Sequence, residues 1–306
     1  MKTTSKKPLR GALILLTATV IWGLAYIAQS DAMQYLDVLT FNGVRILLGG
    51  IALIPIVPLY HRFDPAYRTH SADQKKQTFR VSVIGGVVCG VCMGTAATLQ
   101  QYGIAMTSAG KSGFLTALYI VLVPIVGILF RRRVPWIGIV SVGIAVVGSY
   151  FLCVKNSFVI EKGDWLLILD AVAFAFQILF IDFFLERGGD SVTMACVEFL
   201  TAGLLLFPLM FLFEQPTWQN IWAARNTILY AGLVSGAVGY SMQMLGQKEL
   251  EPTAASLLMS LESVFAALFG WWLLGERMTH RELIGCALVF IAVILSQLPI
   301  GRRRDT

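Results

Sequence analysis

TAASLLMSLESVFAALFGWWLL, residues Thr253–Leu274, is the stretch from which the rest of the chain is read. Its 22 residues are apolar almost without interruption. As an α-helix rising about 1.5 Å per residue it reaches roughly 33 Å, about the thickness of a bilayer's hydrocarbon core. Glu262 breaks the pattern near the middle, where a carboxylate is costly unless it faces protein, water or a partner. Pro252 precedes the stretch and Gly275-Glu276-Arg277 follows it. A counterpart, Ala109 to Phe130, lies 143 residues earlier, with Tyr119 at the place of Glu262.

The whole chain has the same character. Of 306 residues, 57% are hydrophobic and 14% charged, with a mean hydropathy of +0.72. A soluble domain carries about 25% charged residues, so a single core buried in water is excluded and an all-α polytopic membrane protein is expected. A net charge of +6 would suit nucleic acid, but the charges fall between apolar runs, at presumed membrane edges. Five cysteines, an odd number and mostly within apolar runs, imply no disulfide framework. The start, MKTTSKKPLR, leads into an apolar run without a small-residue cleavage pattern, so no cleaved signal peptide is expected.

Apolar runs of spanning length predict ten helices: 11–29, 38–59, 81–101, 109–130, 134–153, 165–184, 192–213, 227–246, 253–274 and 281–299. They are too long for barrel strands and lack strand alternation. With the N-terminus in the cytoplasm, 17 Lys and Arg fall in inside segments and 6 in outside ones, Arg45 lying within a span. That bias places both termini in the cytoplasm. The long polar loop, His61 to Arg80, reads as a charged topology anchor rather than a nucleic-acid patch.

The chain also repeats itself. Thr40–Arg45 aligns with Thr193–Glu198 at an offset of 153, which also carries Leu47 onto Leu200, Gly50 onto Gly203 and Pro55 onto Pro208. Gly86, Gly90 and Gln101 fall on Gly232, Gly236 and Gln247 at an offset of 146, and the fourth and ninth runs align at 143. Two five-span units follow, 1–153 and 154–306. An odd number of spans inverts the second unit relative to the first, which is the architecture of secondary transporters with a site near the midplane.

ATVIWGLAYIAQ near the start, TSAGKSGFLTALYIVLVPI in the fourth span and SLLMSLESVFAALFGWWLLGERMT in the ninth resemble the EamA-like branch of the drug/metabolite transporter superfamily. The resemblance covers roughly residues 11–299, and Gly275-Glu276-Arg277 is its sharpest motif. It implies a ten-helix carrier of a bacterial plasma membrane exporting an amino acid, another metabolite or a toxic small molecule. Members of the family often have Glu-Pro where this chain has Glu262-Ser263, so no proline-dependent kink is expected there.

The candidate substrate-binding residues are Trp22, Tyr26, Arg45, Gln100, Tyr119, Gln177, Glu198, Tyr240, Gln243 and Glu262. Charges inside a bilayer mark a substrate path by default. Arg45 and Glu198 occupy matching places in the repeat, so the two charges could meet in a central cavity, where Arg45 could hold a carboxylate or phosphate through its planar donor fork. The alternatives are that they only pair and lock helices, or that each snorkels to an interface. Glu262 could exchange a proton during a transport cycle or face a substrate amine. Trp22 and Tyr26, four apart, share a helix face; with the other aromatic and amide residues they suggest a polar lumen. Asp182 belongs near an interface, Asp170 is ambiguous, and Trp271 and Trp272 read as an interfacial belt. The ridges Gly86-xxx-Gly90-xxx-Gly94 and Gly232-xxx-Gly236, and Cys89-Gly90-Val91-Cys92, read as helix packing. No phosphate loop, metal-ligand cluster or nucleophile motif is present, so neither an enzyme nor a cofactor is expected.

The sequence therefore reads as a secondary transporter working by alternating access, its cavity lined by the first, third, fourth, sixth, eighth and ninth spans. Its expected partners are a small-molecule substrate and the lipid bilayer, with no nucleic acid; protons are left open as a second ligand. A multidrug or toxic-compound exporter is the alternative, and a channel and an intramembrane enzyme are the other rivals.

Overall fold

A computed structural model describes residues 8–106, 109–128, 134–154, 161–274 and 278–297. Apolar sequence that must satisfy its own backbone forms helices, and every element here is helical. They are α1 (Pro8–Ala32), α2 (Val38–Leu53), α3 (Ile56–Phe63), α4 (Pro65–Arg68), α5 (Ala72–Met106), α6 (Ala109–Thr116), α7 (Tyr119–Gly127), α8 (Trp136–Cys153), α9 (Lys162–Glu186), α10 (Ser191–Phe213) and α11 (Trp218–Ala223). After α12 (Arg225–Leu229) comes a π-helical stretch, Tyr230–Tyr240, then α13 (Ser241–Gln247), α14 (Pro252–Met259), α15 (Leu261–Leu274) and α16 (His280–Gln297).

Among the described residues nine helical segments are long and apolar enough to cross a membrane. They match nine of the ten predicted runs. The predicted fourth span, 109–130, is instead two short helices, α6 and α7, interrupted at Ala117 and Leu118. The predicted ninth is interrupted too, at Ser260, with ψ of −15° there. No proline is involved in the second break. Ser256, Ser260 and Ser263 each donate a side-chain bond to a carbonyl three residues back, and such back-bonding bends a helix. Gly275-Glu276-Arg277 lies outside the described residues.

α2 and α10 pack as an antiparallel pair. A Cβ on Gly50 would meet Leu200 N at 2.8 Å, and one on Gly203 would meet Leu47 Cα at 2.7 Å. Gly43 likewise faces Phe207. Across this pair, residues oppose when their numbers sum to about 250. Both ends are clasped. At one, Glu214, just past α10, accepts from Leu39 N (2.8 Å), Thr40 N (2.6 Å) and Thr40 Oγ1 (2.7 Å). At the other, Asp190 caps α10 by accepting from Thr193 N at 2.8 Å, and His61 Nε2 sits 3.1 Å from Asp190 Oδ2 and 3.2 Å from Thr193 Oγ1. Gly188, at φ +88°, makes the tight turn that delivers Asp190 from the end of α9.

Around this pair, α5 packs on α9 and on α10, while α1 packs on the π stretch and α13. α1 also lies against α14 and α15, α9 against α6 and α7, and α2 against the π stretch. α8 and α16 pack together. The ridge of Gly86, Gly90 and Gly94 rests on Val197, Thr201 and Ala202 of α10. The five cysteines are free thiols.

Candidate functional site

Four residues of α1, Trp22, Ala25, Tyr26 and Gln29, recur at spacings of three and four and form one stripe. This stripe is one wall of a central cavity of about 60 Å³. That space holds about four or five waters. The opposite wall is Phe174, Gln177 and Ile178 of α9, again one helical face. Arg45 (α2), Gln100 (α5), Ser235 and Tyr240 of the π stretch and Gln243 (α13) complete the sides. The two broken helices supply the rest. Thr116 and Tyr119 flank the break between α6 and α7, and Met259 and Glu262 flank the break between α14 and α15. An interrupted helix turns its freed ends and adjoining side chains toward a lumen, where irregular backbone is tolerated.

Nine of the ten sequence candidates lie on this wall. The tenth, Glu198, is fully buried behind it, its Oε1 accepting from Gln177 Nε2 at 2.7 Å. Arg45 and Glu198 do not meet. Arg45 Nε donates to Asn42 Oδ1 at 2.8 Å, and the guanidinium lies 5.0 Å from the centre of the Phe41 ring. The helix crossing explains the separation. Opposed positions on α2 and α10 sum to about 250, whereas 45 and 198 fall seven short, about 10 Å along the axis.

The wall's polar groups are held unequally. Trp22 Nε1 donates to Ser235 O at 3.1 Å, and its ring lies 5.1 Å from that of Tyr240. Phe199 packs edge-on against Tyr240 from behind. Gln243 Nε2 donates to Gln177 Oε1 at 3.3 Å. By contrast, among the described residues the Glu262 carboxyl, the Tyr26 and Tyr119 hydroxyls and the Arg45 Nη groups make no hydrogen bond to protein. The Arg45 Nη groups and the Glu262 carboxyl thus leave hydrogen-bonding capacity of both signs at an aromatic-walled cavity.

Sequence reasoning missed Thr116, Phe174, Ser235 and Gln29 and left Asp170 ambiguous. Asp170 is fully buried behind the wall, accepting from Thr116 Oγ1 at 3.0 Å. Its signal was available: Asp170, Phe174, Gln177 and Ile178 share one face of α9. Among the described residues no group of three or more His, Cys, Asp or Glu is placed to hold a metal ion.

The chain is similar to known membrane transporters. An uncharacterized transporter of Archaeoglobus fulgidus is 25% identical over 295 residues, spanning 96% of this chain and 88% of its own length. The inner membrane transporter YedA of Escherichia coli is 22% identical, spanning 95% of this chain and 91% of its own. A crystal structure of another protein superposes with a TM-score of 0.75 at 15% identity, covering 98% of this chain and all of the other, so the fold is shared. The profile of the EamA-like transporter family matches residues 9–154 and again residues 161–298. The chain belongs to that family, within the drug/metabolite transporter superfamily, and is a multi-pass membrane transporter rather than an enzyme.

Proposed function

We propose that this EamA-like family member is a secondary carrier that exports an amino acid or a closely related zwitterionic metabolite. One observation carries the reading: a central cavity lined by Arg45, whose Nη groups make no hydrogen bond to protein among the described residues, by Glu262, whose carboxyl likewise makes none, and by aromatic walls. Arg45 would take the substrate carboxylate through its planar donors. Glu262 and the faces of Trp22, Tyr26 and Tyr240 would take the ammonium group.

The proposed cycle is alternating access between two inverted five-helix units, residues 1–153 and 154–306, ten spans in all. Several packing relations support it. Exchanging the units maps α5 on α9 to the π stretch and α13 on α1, and α1 on α14 and α15 to α9 on α6 and α7. It maps the α2–α10 and α8–α16 pairs onto themselves. The reciprocal contacts of Gly50 with Leu200 and Gly203 with Leu47 are those expected at a two-fold axis. The family profile matching twice is in keeping with the same division. The location proposed is a bacterial inner membrane with both termini in the cytoplasm, supported by the bias of Lys and Arg and by the bacterial relative.

The test is counterflow in proteoliposomes against a panel of radiolabelled amino acids and related metabolites, repeated at several pH values. Saturable exchange that is lost in both Arg45→Ala and Glu262→Gln, with both variants folded, is the expected result. Flux that does not saturate and shows no counterflow would indicate a channel. Exchange of uncharged or cationic aromatic compounds with indifference to Arg45 would indicate a multidrug exporter.

A further inference from the structure

Glu198 has a setting unlike that of any wall residue. It lies on α10 with no exposed surface, one residue removed from the cavity. The residue between is Gln177, which is on the wall, as is Gln243 behind it. Gln243 donates to the Gln177 carbonyl at 3.3 Å, and Gln177 donates to Glu198 Oε1 at 2.7 Å. Gln243 Nε2 also lies 3.5 Å from Gln247 Oε1, so one of its two amide protons serves Gln247 while the other begins a two-step chain, through the Gln177 side chain, that ends on the carboxyl. Hydrogen bonds in such a chain polarise one another, so a change at the cavity end is felt at the far end.

The other carboxyl oxygen, Oε2, is buried and has no hydrogen-bond partner. No cation is in ion-pair contact with Glu198 among the described residues. The titratable groups that face it are weak acids: Cys89 and Cys92 from α5, and Tyr240 from the π stretch. Arg45 on α2 donates to Asn42 Oδ1 and makes no ion pair with Glu198 among the described residues. A bare carboxylate enclosed in this way is strongly penalised. Two amides and three neutral acids do not supply a full positive charge, whereas a proton on Oε2 does.

We propose that Glu198 is the binding site of a coupling proton, linked to the substrate cavity through the Gln177–Gln243 relay. When the relay opens and cavity water reaches the carboxyl, a hydronium ion gives up its proton, which forms an O–H bond at Oε2 and leaves a water molecule; after the access change the proton returns to water as hydronium. A substrate that takes a hydrogen bond from Gln243 or Gln177 loosens the relay, and the proton affinity of Glu198 changes with cavity occupancy. That linkage is what coupling requires. The proposal rests on the carrier reading above.

Two measurements test it. The first needs no transport. Infrared difference spectra of the full chain in lipid nanodiscs, taken across a pH titration, should contain a protonated-carboxyl stretch that is lost in Glu198→Gln and displaced in its titration in Gln177→Ala. An unchanged band in Glu198→Gln would overturn the proposal. The second uses proteoliposomes and the twenty radiolabelled amino acids. In Glu198→Gln, uphill accumulation driven by an imposed pH gradient should fall at least tenfold relative to zero-gradient exchange. Equal loss of both in Glu198→Gln and in Glu198→Asp, with normal size-exclusion profiles, would make Glu198 a structural or substrate residue and overturn the proposal. Uphill accumulation by the wild type that needs sodium instead would also overturn it. Failure of wild-type exchange itself would overturn the carrier reading separately, leaving the infrared result to judge Glu198.

Discussion

At the break in the fourth apolar run the chain offers Tyr119 to the cavity; at the break in the ninth, 143 residues later, it offers Glu262. The helices are interrupted at the same place in both, Ala117–Leu118 in one and Ser260 in the other. The same contrast recurs on the α2–α10 pair at an offset of 153. Arg45 matches Glu198, and His61 matches Glu214. Asp37 and Asp190 match as the caps of the two helices, yet only Asp190 binds its own helix, because Glu214 takes that task for α2. Pro55 ends α2, whereas Pro208 lies within an unbroken α10. The helix breaks and the helix starts thus recur at matching positions, while the side chains there differ. On the reading proposed above, matching breaks would let the lumen open to either side, and unlike residues at those breaks would hold one molecule in one orientation.

The contrast at the breaks makes the largest prediction. Glu262→Gln should lower the kcat/KM of exchange by about 30- to 100-fold, the equivalent of about 2–3 kcal/mol for a charge-assisted contact. Tyr119→Phe should lower it by only about 3- to 10-fold, as for a neutral hydroxyl. Equal losses would mean that the two breaks do the same work. Next is Arg45. Arg45→Ala should weaken exchange of carboxylate substrates by about 30-fold, with Arg45→Lys recovering part of the loss, while amide analogues of the same substrates are unaffected.

The clasps separate by a smaller margin, in stability rather than transport. Glu214→Gln removes a carboxylate that holds two backbone N–H groups at the start of α2, and should cost about 1–2 kcal/mol. His61→Gln leaves the Asp190 cap in place and should cost about 0.5 kcal/mol. Thermal unfolding in detergent, followed by size exclusion, ranks the two. Smallest of all is Ser260→Ala, at about 0.5 kcal/mol or less. Position 117 is already alanine and the helix breaks there too, so exchange should survive this change.

How much of this could be read from sequence differs by the range of the interaction. Long apolar runs gave the spans because backbone in lipid has few options. Trp22 with Tyr26 and Gln177 with Gln243 could be found because helical spacing and polarity in apolar surroundings are local signals. The sequence left the Arg45–Glu198 meeting open because equal rank in a repeat does not mean adjacency. Across an antiparallel crossing, partners are set by the crossing point, which the contacts of Gly50 and Gly203 fix. The clasp of His61 on Asp190 joins residues 129 apart, and no local pattern announces it. Nor does composition reveal the break at Ser260, where three serine hydroxyls turn back on their own carbonyls.

Tyr230–Tyr240 winds as a π helix, and Trp22 draws on it by donating to the Ser235 carbonyl. Such wide turns hold more residues than α turns do. Rewinding one of them to α geometry would rotate everything after it by about 100° per residue released. Gln243 would swing away from Gln177, and Ser235 would take its carbonyl back from Trp22. A change of winding confined to this one segment would therefore redraw one side of the cavity.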